Sequence, residues 1–423
     1  MERGETAAQP HAPRVRRGRD AGVHKVYRKG THRTITPADT LERARPFLGE
    51  LGITRIANVT GLDRIGIPVV MVCRPNARSI AVSQGKGLDL AAAKASGLME
   101  AVETYHAEHI AAPLLLGSYA ELRTKRRLAD VDKLPSTLGS RFHPDLPILW
   151  IEGEDLLGNA PIWLPYEVVH ANYTLPFPTG SGCFTASTNG LASGNHRLEA
   201  IGHGLCEVIE RDATTLWRTK NKEATRATGL DLDSVDDPAC RDALRRFADA
   251  GIDVRVWETT SDIGIASFYC LIVDERDQST HTTDGAGCHL AREVALLRAL
   301  TEAAQVRTTY IAGSREDLPS GEYARSTRRR RRREGRAFMT WHTPARRFRE
   351  VPSVERETFE EDLDELLRRL RAVGVKQVAM VDLTKSEFQL PVVRVVIPGL
   401  EGPDEHAGYV PGARAKNARE AAA

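Results

Sequence analysis

The stretch that decides the fold is GLASGNHRLEAIGHGLCEVIERDA, residues 190–213. Its first part is dense in Gly, Ser and Asn and predicts a loop, and the remainder repeats apolar residues at helical spacing. This helix is predicted to run to about Lys220. It carries a polar stripe although it is otherwise typical of a core helix. At about 100° per residue, the polar positions fall within an arc of about 120°: Glu199, His203, Glu207, Glu210 and Arg211.

A second predicted helix, about residues 88–109, repeats this pattern. In the string SGLMEAVE, Ser96, Glu100 and Glu103 are spaced by four and three residues, which places them on one stripe. Their neighbours are small or apolar. No Lys or Arg stands three or four residues from either glutamate, so neither charge has a local partner on the helix.

A third predicted helix, about residues 290–311, places Arg298, Glu302 and Gln305 within an arc of about 60°. Carboxylates on rigid helices suit Mg²⁺, which takes oxygen ligands and commonly bridges them to phosphates, and arginine suits a phosphate. The chain has neither GxxxxGK[ST] nor GxGxxG. These residues leave two interpretations open: a magnesium–nucleotide site, or exposed carboxylates of ordinary amphipathic helices. His203 by itself favours packing or capping over catalysis.

The composition narrows the class of protein. With 423 residues, 41% of them hydrophobic, the chain can bury a large core, and a net charge of +2 gives no strong attraction to nucleic acid or membranes. Six scattered cysteines without a CxxC pair predict reduced thiols in a cytoplasmic protein. No apolar run reaches the ~18 residues that span a bilayer. Helices and strands mix without strict βαβ alternation, which predicts an α+β fold.

One folded domain is predicted over residues 26–402, with a disordered tail before it, a flexible tail after it and one disordered loop within it. Residues 1–25 are rich in Arg, Gly and Pro and predict a disordered basic tail. Six consecutive arginines, Arg328–Arg333, predict a disordered loop over residues 324–350, because like charges repel. Residues 403–423 offer little to bury and predict a flexible tail.

Four ordered strings resemble the YcaO family: KGTHRTITPADT (29–40), SQGKGLDLAAAKASGLMEAVE (83–103), GLASGNHRLEAIGHGLCEVIERDA (190–213) and RALTEAAQVR (298–307). The resemblance spans about Lys29 to Gly402. It implies a YcaO-type fold of several α/β subdomains around a nucleotide site, and such proteins are often homodimers. Members use ATP and Mg²⁺ to activate the oxygen of a peptide amide, and a nucleophile then gives an azoline, thioamide or amidine.

The resemblance also implies roles for matching residues. Four would hold Mg²⁺ and phosphate: Glu100, Glu103, Glu207 and Glu210. Eight would contact the nucleotide or its phosphates: Lys29, Thr36 (where serine is usual), Ser96, Asn195, Glu199, Arg211, Arg298 and Glu302. Of these, Arg298 and Glu302 are the candidate catalytic residues. Ala192 stands where some members have serine, and Ser193 is the expected substitute.

The carboxyl end, PVVRVVIPGLEGP at residues 391–403, lacks the Pro-x-Pro-x-Pro ending of azoline-forming members. It resembles members that form thioamides in a peptide or protein with a TfuA-like partner and a sulfur source. The sequence shows no cysteine pair suited to sulfur relay. The alternatives are an azoline-forming cyclodehydratase component, a small-molecule kinase or ligase, or a non-catalytic accessory factor in ribosomal protein methylthiolation whose arginine run contacts RNA.

Overall fold

The computed structural model describes residues 22–277, 280–405 and 408–422. In this part of the chain the helices are α1 (Pro37–Ala44), α2 (Leu90–Glu108), α3 (Tyr119–Leu122), α4 (Arg197–Arg218), α5 (Lys222–Arg226), α6 (Pro238–Asp249), α7 (Arg292–Ala312), α8 (Arg325–Met339), α9 (Phe359–Ala372) and α10 (Ala413–Ala422). The strands are β1 (Arg55–Asn58), β2 (Val69–Cys73), β3 (Val82–Lys86), β4 (Leu114–Gly117), β5 (Ile148–Asp155), β6 (Ala160–Pro165), β7 (Leu191–Ser193), β8 (Leu230–Asp231), β9 (Ile252–Glu258), β10 (Ser267–Asp274), β11 (Thr283–Cys288), β12 (Arg346–Arg347), β13 (Ala379–Asp382) and β14 (Val392–Val396). The predicted α+β class is confirmed.

Two units share one design, an antiparallel three-stranded sheet followed by a long helix. The first is β1-β2-β3 with α2, and the second is β9-β10-β11 with α7. A glycine on the last strand of each lets the helix backbone approach closely. A Cβ on Gly85 would lie 2.0 Å from the carbonyl oxygen of Ala93, and one on Gly285 would lie 2.4 Å from that of Ala299. Each polar helix is therefore held directly on a strand.

A six-stranded sheet carries the remaining polar helix, α4. Its order is β4-β5-β13-β14-β7, with β6 paired to the other side of β5. The helix begins four residues after β7 and lies against β7 and β14, where Ile201, Leu205 and Val208 join a core that includes Val393 and Val395. Burial of this apolar face fixes the direction of the polar one, because the two faces share one helix.

The prediction of a disordered loop over residues 324–350 is wrong, because α8 occupies residues 325–339. Arg332 is only 7% exposed and donates from Nη1 to the carbonyl oxygen of Asp274 at 2.5 Å. Arg331 pairs with Glu322 at 2.8 Å. Two apolar side chains of the helix, Met339 and Phe338, are buried or partly buried. The arginines that anchor the helix face acceptors on neighbouring elements, which a count of like charges along the sequence does not reveal.

Two terminal predictions need similar correction. Lys25, predicted to belong to a disordered tail, is buried and pairs with Asp362 of α9 at 2.7 Å. The rest of that tail, residues 1–21, lies outside the described residues. The tail predicted after residue 402 contains α10, where Arg414 binds buried Asp212 at 2.9 Å. Among the described residues, no helix combines the length and hydropathy needed to cross a membrane.

The three predicted polar helices are observed as α2, α4 and α7, with boundaries shifted by a few residues. Strand β11 does not stand out in the sequence, because Thr-Asp-Gly-Ala-Gly-Cys has little β-propensity. It forms because β10 pairs with it along its length and α7 covers it.

Candidate functional site

The carboxylates of α2 point toward β7 and the start of α4. Glu103 accepts hydrogen bonds from the backbone N–H of Ser193 at 2.8 Å and from its hydroxyl at 2.7 Å. Ser193 is the residue expected to replace a missing serine at position 192. Here it orients a glutamate, a role that the sequence did not predict.

Burial makes the α2 carboxylates reluctant to ionise in the free protein. It raises the pKa of Glu100 to about 7, although Lys86 and Arg315 partly offset this effect. Burial likewise raises the pKa of Glu103 to about 8. The hydrogen bonds from Ser193 oppose this rise, and repulsion from Glu100 adds to it. A cation placed between these groups would reverse both shifts.

The α4 carboxylates face the same region. Burial raises the pKa of Glu207 despite the nearby charge of Arg211, and it raises that of Glu210 despite Arg298. Glu210 is 2% exposed, and its Oε2 atom has no hydrogen-bond partner among the described residues. Glu207 also repels Glu100 and Glu103, which brings the four glutamates of α2 and α4 into one electrostatic cluster.

Helix α7 supplies a cation and a carboxylate to this cluster. Arg298 donates to Nε2 of His203 at 3.3 Å, and its charge stabilises the ionised form of Glu210. Burial lowers the pKa of His203 well below its usual value, with Arg298 adding to the effect, so the imidazole is a neutral acceptor. Glu302 keeps a lowered pKa in spite of burial, because Lys86 at 3.3 Å, Arg211 and Arg298 surround it.

Two of the cations here were not predicted from the sequence. Lys86, at the end of β3, is the direct partner of Glu302. Arg315 lies in a loop after α7, and its charge partly offsets the raised pKa of Glu100. Neither position is linked by helical periodicity to the glutamate beside it, so only the packing of α2 and α7 against β3 brings them together.

Glu199 and Asn195 hold the start of α4 to the N-terminal segment. The carboxylate of Glu199 accepts from the backbone N–H of Thr34 at 2.8 Å and from that of Asn195 at 2.5 Å. It also closes a capping box with His196. Both oxygens of Glu199 are thus engaged by the protein, whereas Oδ1 of Asn195 is buried without a partner among the described residues.

Three predicted nucleotide contacts lie at the edge of this region. Lys29 is 66% exposed and lies 3.8 Å from Asp89. Ser96 is exposed one turn before Glu100. Thr36 caps α1, and its hydroxyl lies 2.6 Å from the carboxylate of Asp39.

A narrow cavity reaches the cluster from the side of the N-terminal segment. Its walls include Arg33, Glu199, His203 and Arg298. Two thiols also line it, Cys206 of α4 and Cys288 of β11. Burial raises the pKa of Cys288 well above its usual value, and a hydrogen bond with Cys206 contributes. Nothing in the sequence pattern indicates this pair, because the two cysteines lie 82 positions apart.

The residues fit Mg²⁺ shared with phosphates. The described residues contain no group of three or more Asp, Glu, His or Cys side chains placed to hold an ion by themselves. Mg²⁺ usually takes one or two carboxylates and completes its shell with water and phosphate oxygens. The unpartnered Oε2 of Glu210 and the raised pKa values of its neighbours are the features that such a cation would relieve.

Comparison with known proteins identifies the family. Residues 84–401 match the family model described as YcaO cyclodehydratase, ATP- and Mg²⁺-binding. The chain belongs to the YcaO family. ATP and Mg²⁺, which the sequence predicted, are thereby confirmed as the ligands of the family's domain.

Two relatives cover nearly the whole YcaO chain. A Rhizobium leguminosarum bv. trifolii protein, described as an uncharacterized protein in the tfuA 3′ region, is 37% identical over 381 residues, covering 87% of this chain and 88% of its own. An uncharacterized Methanothermobacter thermautotrophicus protein is 38% identical over 380 residues, covering 87% and 94%. The first is consistent with the predicted TfuA-associated branch.

Solved structures share the fold. YcaO from Methanopyrus kandleri, bound with AMPPCP and Mg²⁺, matches with a TM-score of 0.72 at 24% identity over 90% of this chain and 95% of its own. A heterocyclase in complex with substrate and cofactor matches with a TM-score of 0.75 at 22% identity over 91% of this chain. The chain spans 54% of that heterocyclase, so the larger protein has additional parts.

Proposed function

We propose that this protein uses ATP and Mg²⁺ to phosphorylate the oxygen of a backbone amide in a ribosomally made peptide or protein, and that a TfuA-like partner with a sulfur source then supplies sulfide to form a thioamide. The carboxylate cluster on α2 and α4, which is partly to fully buried, carries the proposal. Four glutamates with raised pKa values face Arg298 and Lys86, an arrangement suited to a metal-bound polyphosphate.

The proposed reaction keeps every atom accounted for. The amide oxygen attacks the γ-phosphorus of ATP, the bond to the bridging oxygen breaks, and ADP leaves. Hydrosulfide then adds to the amide carbon, and inorganic phosphate departs with the former amide oxygen. Loss of a proton then leaves the amide N–H as it was before the reaction. C=O has become C=S, and the oxidation state of the carbon is unchanged. Phosphorylation is required because it converts a poor leaving group into a good one.

Within this scheme, Glu100, Glu103, Glu207 and Glu210 would hold Mg²⁺ against the phosphates, and the ion would neutralise their charge. Arg298 would bind a phosphate oxygen with the guanidinium edge that now meets His203. Glu302 would orient Lys86 and Arg298 toward the phosphates, because its carboxylate attracts both cations. The nucleotide itself would enter beside Lys29, Ser96, Asn195 and Arg211.

Two predicted contacts are better explained as positioning residues. The oxygens of Glu199 are engaged by Thr34 and Asn195, so it would orient the nucleotide-binding segment. The hydroxyl of Thr36 is already engaged in the capping box of α1. We therefore expect loss of either side chain to act through the placement of this segment.

The test is to coexpress the protein with a candidate peptide encoded nearby and with its TfuA-like neighbour. Thioamide formation is expected to raise the peptide's intact mass by the difference between sulfur and oxygen. Loss of one water would instead identify azoline formation, the alternative within the family. An unchanged peptide together with metabolite-dependent phosphate release would refute amide activation. Omission of the neighbour should stop sulfur incorporation while Mg²⁺-dependent ATP consumption persists.

A further inference from the structure

The outer face of α8 carries a stripe of arginines, defined here as Arg325, Arg329 and Arg333. All three are exposed and lie within an arc of about 80° over about 12 Å of helix. Within the described residues, none of the three guanidinium groups has a carboxylate partner. The stripe is therefore a row of available cations at one-turn intervals.

Other residues of α8 fix the helix to the body of the protein. Arg332 bonds to the carbonyl oxygen of Asp274, and Gly335 lies directly against Thr282, where a Cβ would come within 2.5 Å. Phe338 packs on Trp257 with ring centroids 5.0 Å apart. The stripe is thus presented by an anchored helix, so binding would not require ordering a loop.

A cavity of about 480 Å³ opens beside the first turn of α8, between it and the end of α7. His281 stacks on Tyr310 in its wall with ring centroids 4.0 Å apart, and Tyr323 stands edge-on to both. The hydroxyl of Tyr323 is buried without a partner among the described residues. The cavity thus offers flat aromatic walls and an unused hydrogen-bonding group.

The cavity adjoins the helix that carries part of the carboxylate cluster. Arg307 and Tyr310 of α7 line it, and Glu302 lies one to two turns earlier on the same helix. A chain lying along the stripe and in this cavity would therefore lie beside the helix that contributes Glu302 to the region where the proposed function requires a peptide amide.

We propose that the Arg325–Arg329–Arg333 stripe and the adjoining cavity form a docking track for an acidic segment of the peptide substrate. The proposal rests on the proposed function, since it supplies the substrate's route to the phosphates. Guanidinium groups spaced by a helical turn match carboxylates in charge and geometry. Exposed charge pairs are individually weak, so the track gains affinity by summing several of them.

The same features favour a peptide over nucleic acid as the occupant. Three cations over about 12 Å give few phosphate contacts, whereas non-specific nucleic-acid binding relies on many. The chain as a whole carries only +2, and the adjacent Arg330 and Arg336 are paired with Glu334 and Glu275. The aromatic cavity also adjoins α7, the helix that carries Glu302 of the carboxylate cluster.

The test measures binding of a fluorescein-labelled peptide of alternating Glu and Gly to the full chain by fluorescence anisotropy. The triple variant R325Q/R329Q/R333Q is expected to weaken binding at least about tenfold, since three exposed charge pairs are lost. A matched variant, R123Q/K125Q/K376Q, removes the same charge from exposed positions elsewhere and should change binding less than about twofold. Equal binding by the wild type and the stripe variant would overturn the proposal.

Two further measurements make the assignment specific. A benzophenone at one end of the acidic peptide is expected to crosslink to Tyr310 or Tyr323, and crosslinks found only elsewhere would refute the cavity's role. A single-stranded poly-U RNA of equal charge is expected to bind more weakly than the peptide. Tighter RNA binding that the stripe variant abolishes would replace the peptide by nucleic acid. These assays need no turnover, so their failure leaves the proposed function standing.

Discussion

The carboxylate cluster on α2, α4 and α7 and the arginine helix α8 are two charged regions of this protein that accommodate charge in opposite ways. In the cluster, buried and partly buried glutamates lack enough cations, and their pKa values rise, to about 8 for Glu103. On α8, each arginine that is buried has an acceptor, and Arg325, Arg329 and Arg333 are left to solvent. Of these two regions, only the cluster places carboxyl groups where their charged form is disfavoured.

This difference separates a site from a surface. Burial of a carboxylate without a cation costs stability, so its persistence indicates a ligand that relieves the cost. Solvated arginines carry no such cost and indicate a ligand only when geometry adds to charge, as it does where the stripe meets the aromatic cavity. The following predictions test that distinction.

The largest expected effect is the loss of ATP turnover in Glu210→Gln. The amide preserves shape but cannot neutralise a cation, so phosphate release should fall at least about 10³-fold. Because burial disfavours the charge of Glu210, stability of the free protein should stay the same or rise. Phosphate release and thermal unfolding would be measured together.

Glu50→Gln is the matched control, because Glu50 is exposed at the surface. It should leave turnover and melting temperature unchanged. A Glu210→Gln protein that keeps its turnover would remove Glu210 from the metal site. Turnover and stability that fall together would mean that Glu210 supports the fold instead.

The second prediction concerns pH. Binding of Mg²⁺ with a non-hydrolysable ATP analogue should weaken as pH falls through 8 and 7, because Glu103 and Glu100 must release protons first. The change is about tenfold per pH unit for each carboxylate below its pKa. Calorimetry in buffers of different ionisation enthalpy would count the protons released. Binding that is independent of pH between 6 and 8.5 would contradict these assignments.

The stability of the free protein should show the opposite trend. A carboxyl group whose pKa is raised on folding binds its proton more tightly in the folded state. Its contribution is therefore present below the usual pKa of glutamate, 4.5, and declines as pH rises toward 7 and 8. Saturating Mg²⁺ and nucleotide should reverse this decline, which urea unfolding at several pH values can measure.

The sequence predicted the carboxylate cluster well because helical periodicity is local. Glu100 with Glu103, and Glu207 with Glu210, fall on one face of a helix wherever that helix packs. Their cations were missed because Lys86 and Arg315 reach them only across tertiary contacts. For the same reason, the hydrogen bond between Glu199 and Thr34, 165 residues apart, could not be predicted from the sequence.

The arginine helix shows where a composition rule fails. Like charges favour disorder only if nothing nearby accepts them, and Asp274, Glu322 and Glu275 all do. In the same way, β11 lacks β-propensity and forms because β10 and α7 enclose it. Tertiary structure decided both cases.

The third prediction tests whether α8 is anchored. Arg332→Ala leaves the carbonyl oxygen of Asp274 without its donor and should lower the free energy of unfolding by about 2 kcal/mol. Arg329→Ala removes the same side chain from the solvent face and should stay within about 0.5 kcal/mol of the wild type. Chemical denaturation of both variants measures the difference. Equal effects would mean that the helix is not held by its inner face.

The smallest effect is expected for the exposed pair of Arg330 and Glu334, which lie 3.2 Å apart on successive turns of α8 and are each 54% exposed. Both side chains give up conformational freedom to meet in water, so a double-mutant cycle should yield a coupling of only about 0.3 kcal/mol. The coupling should fade at high salt, because ions screen charges that water already surrounds. A coupling above about 1 kcal/mol that resists salt would show that α8 stabilises charge in the way a buried site does, and the contrast between the two regions would no longer hold.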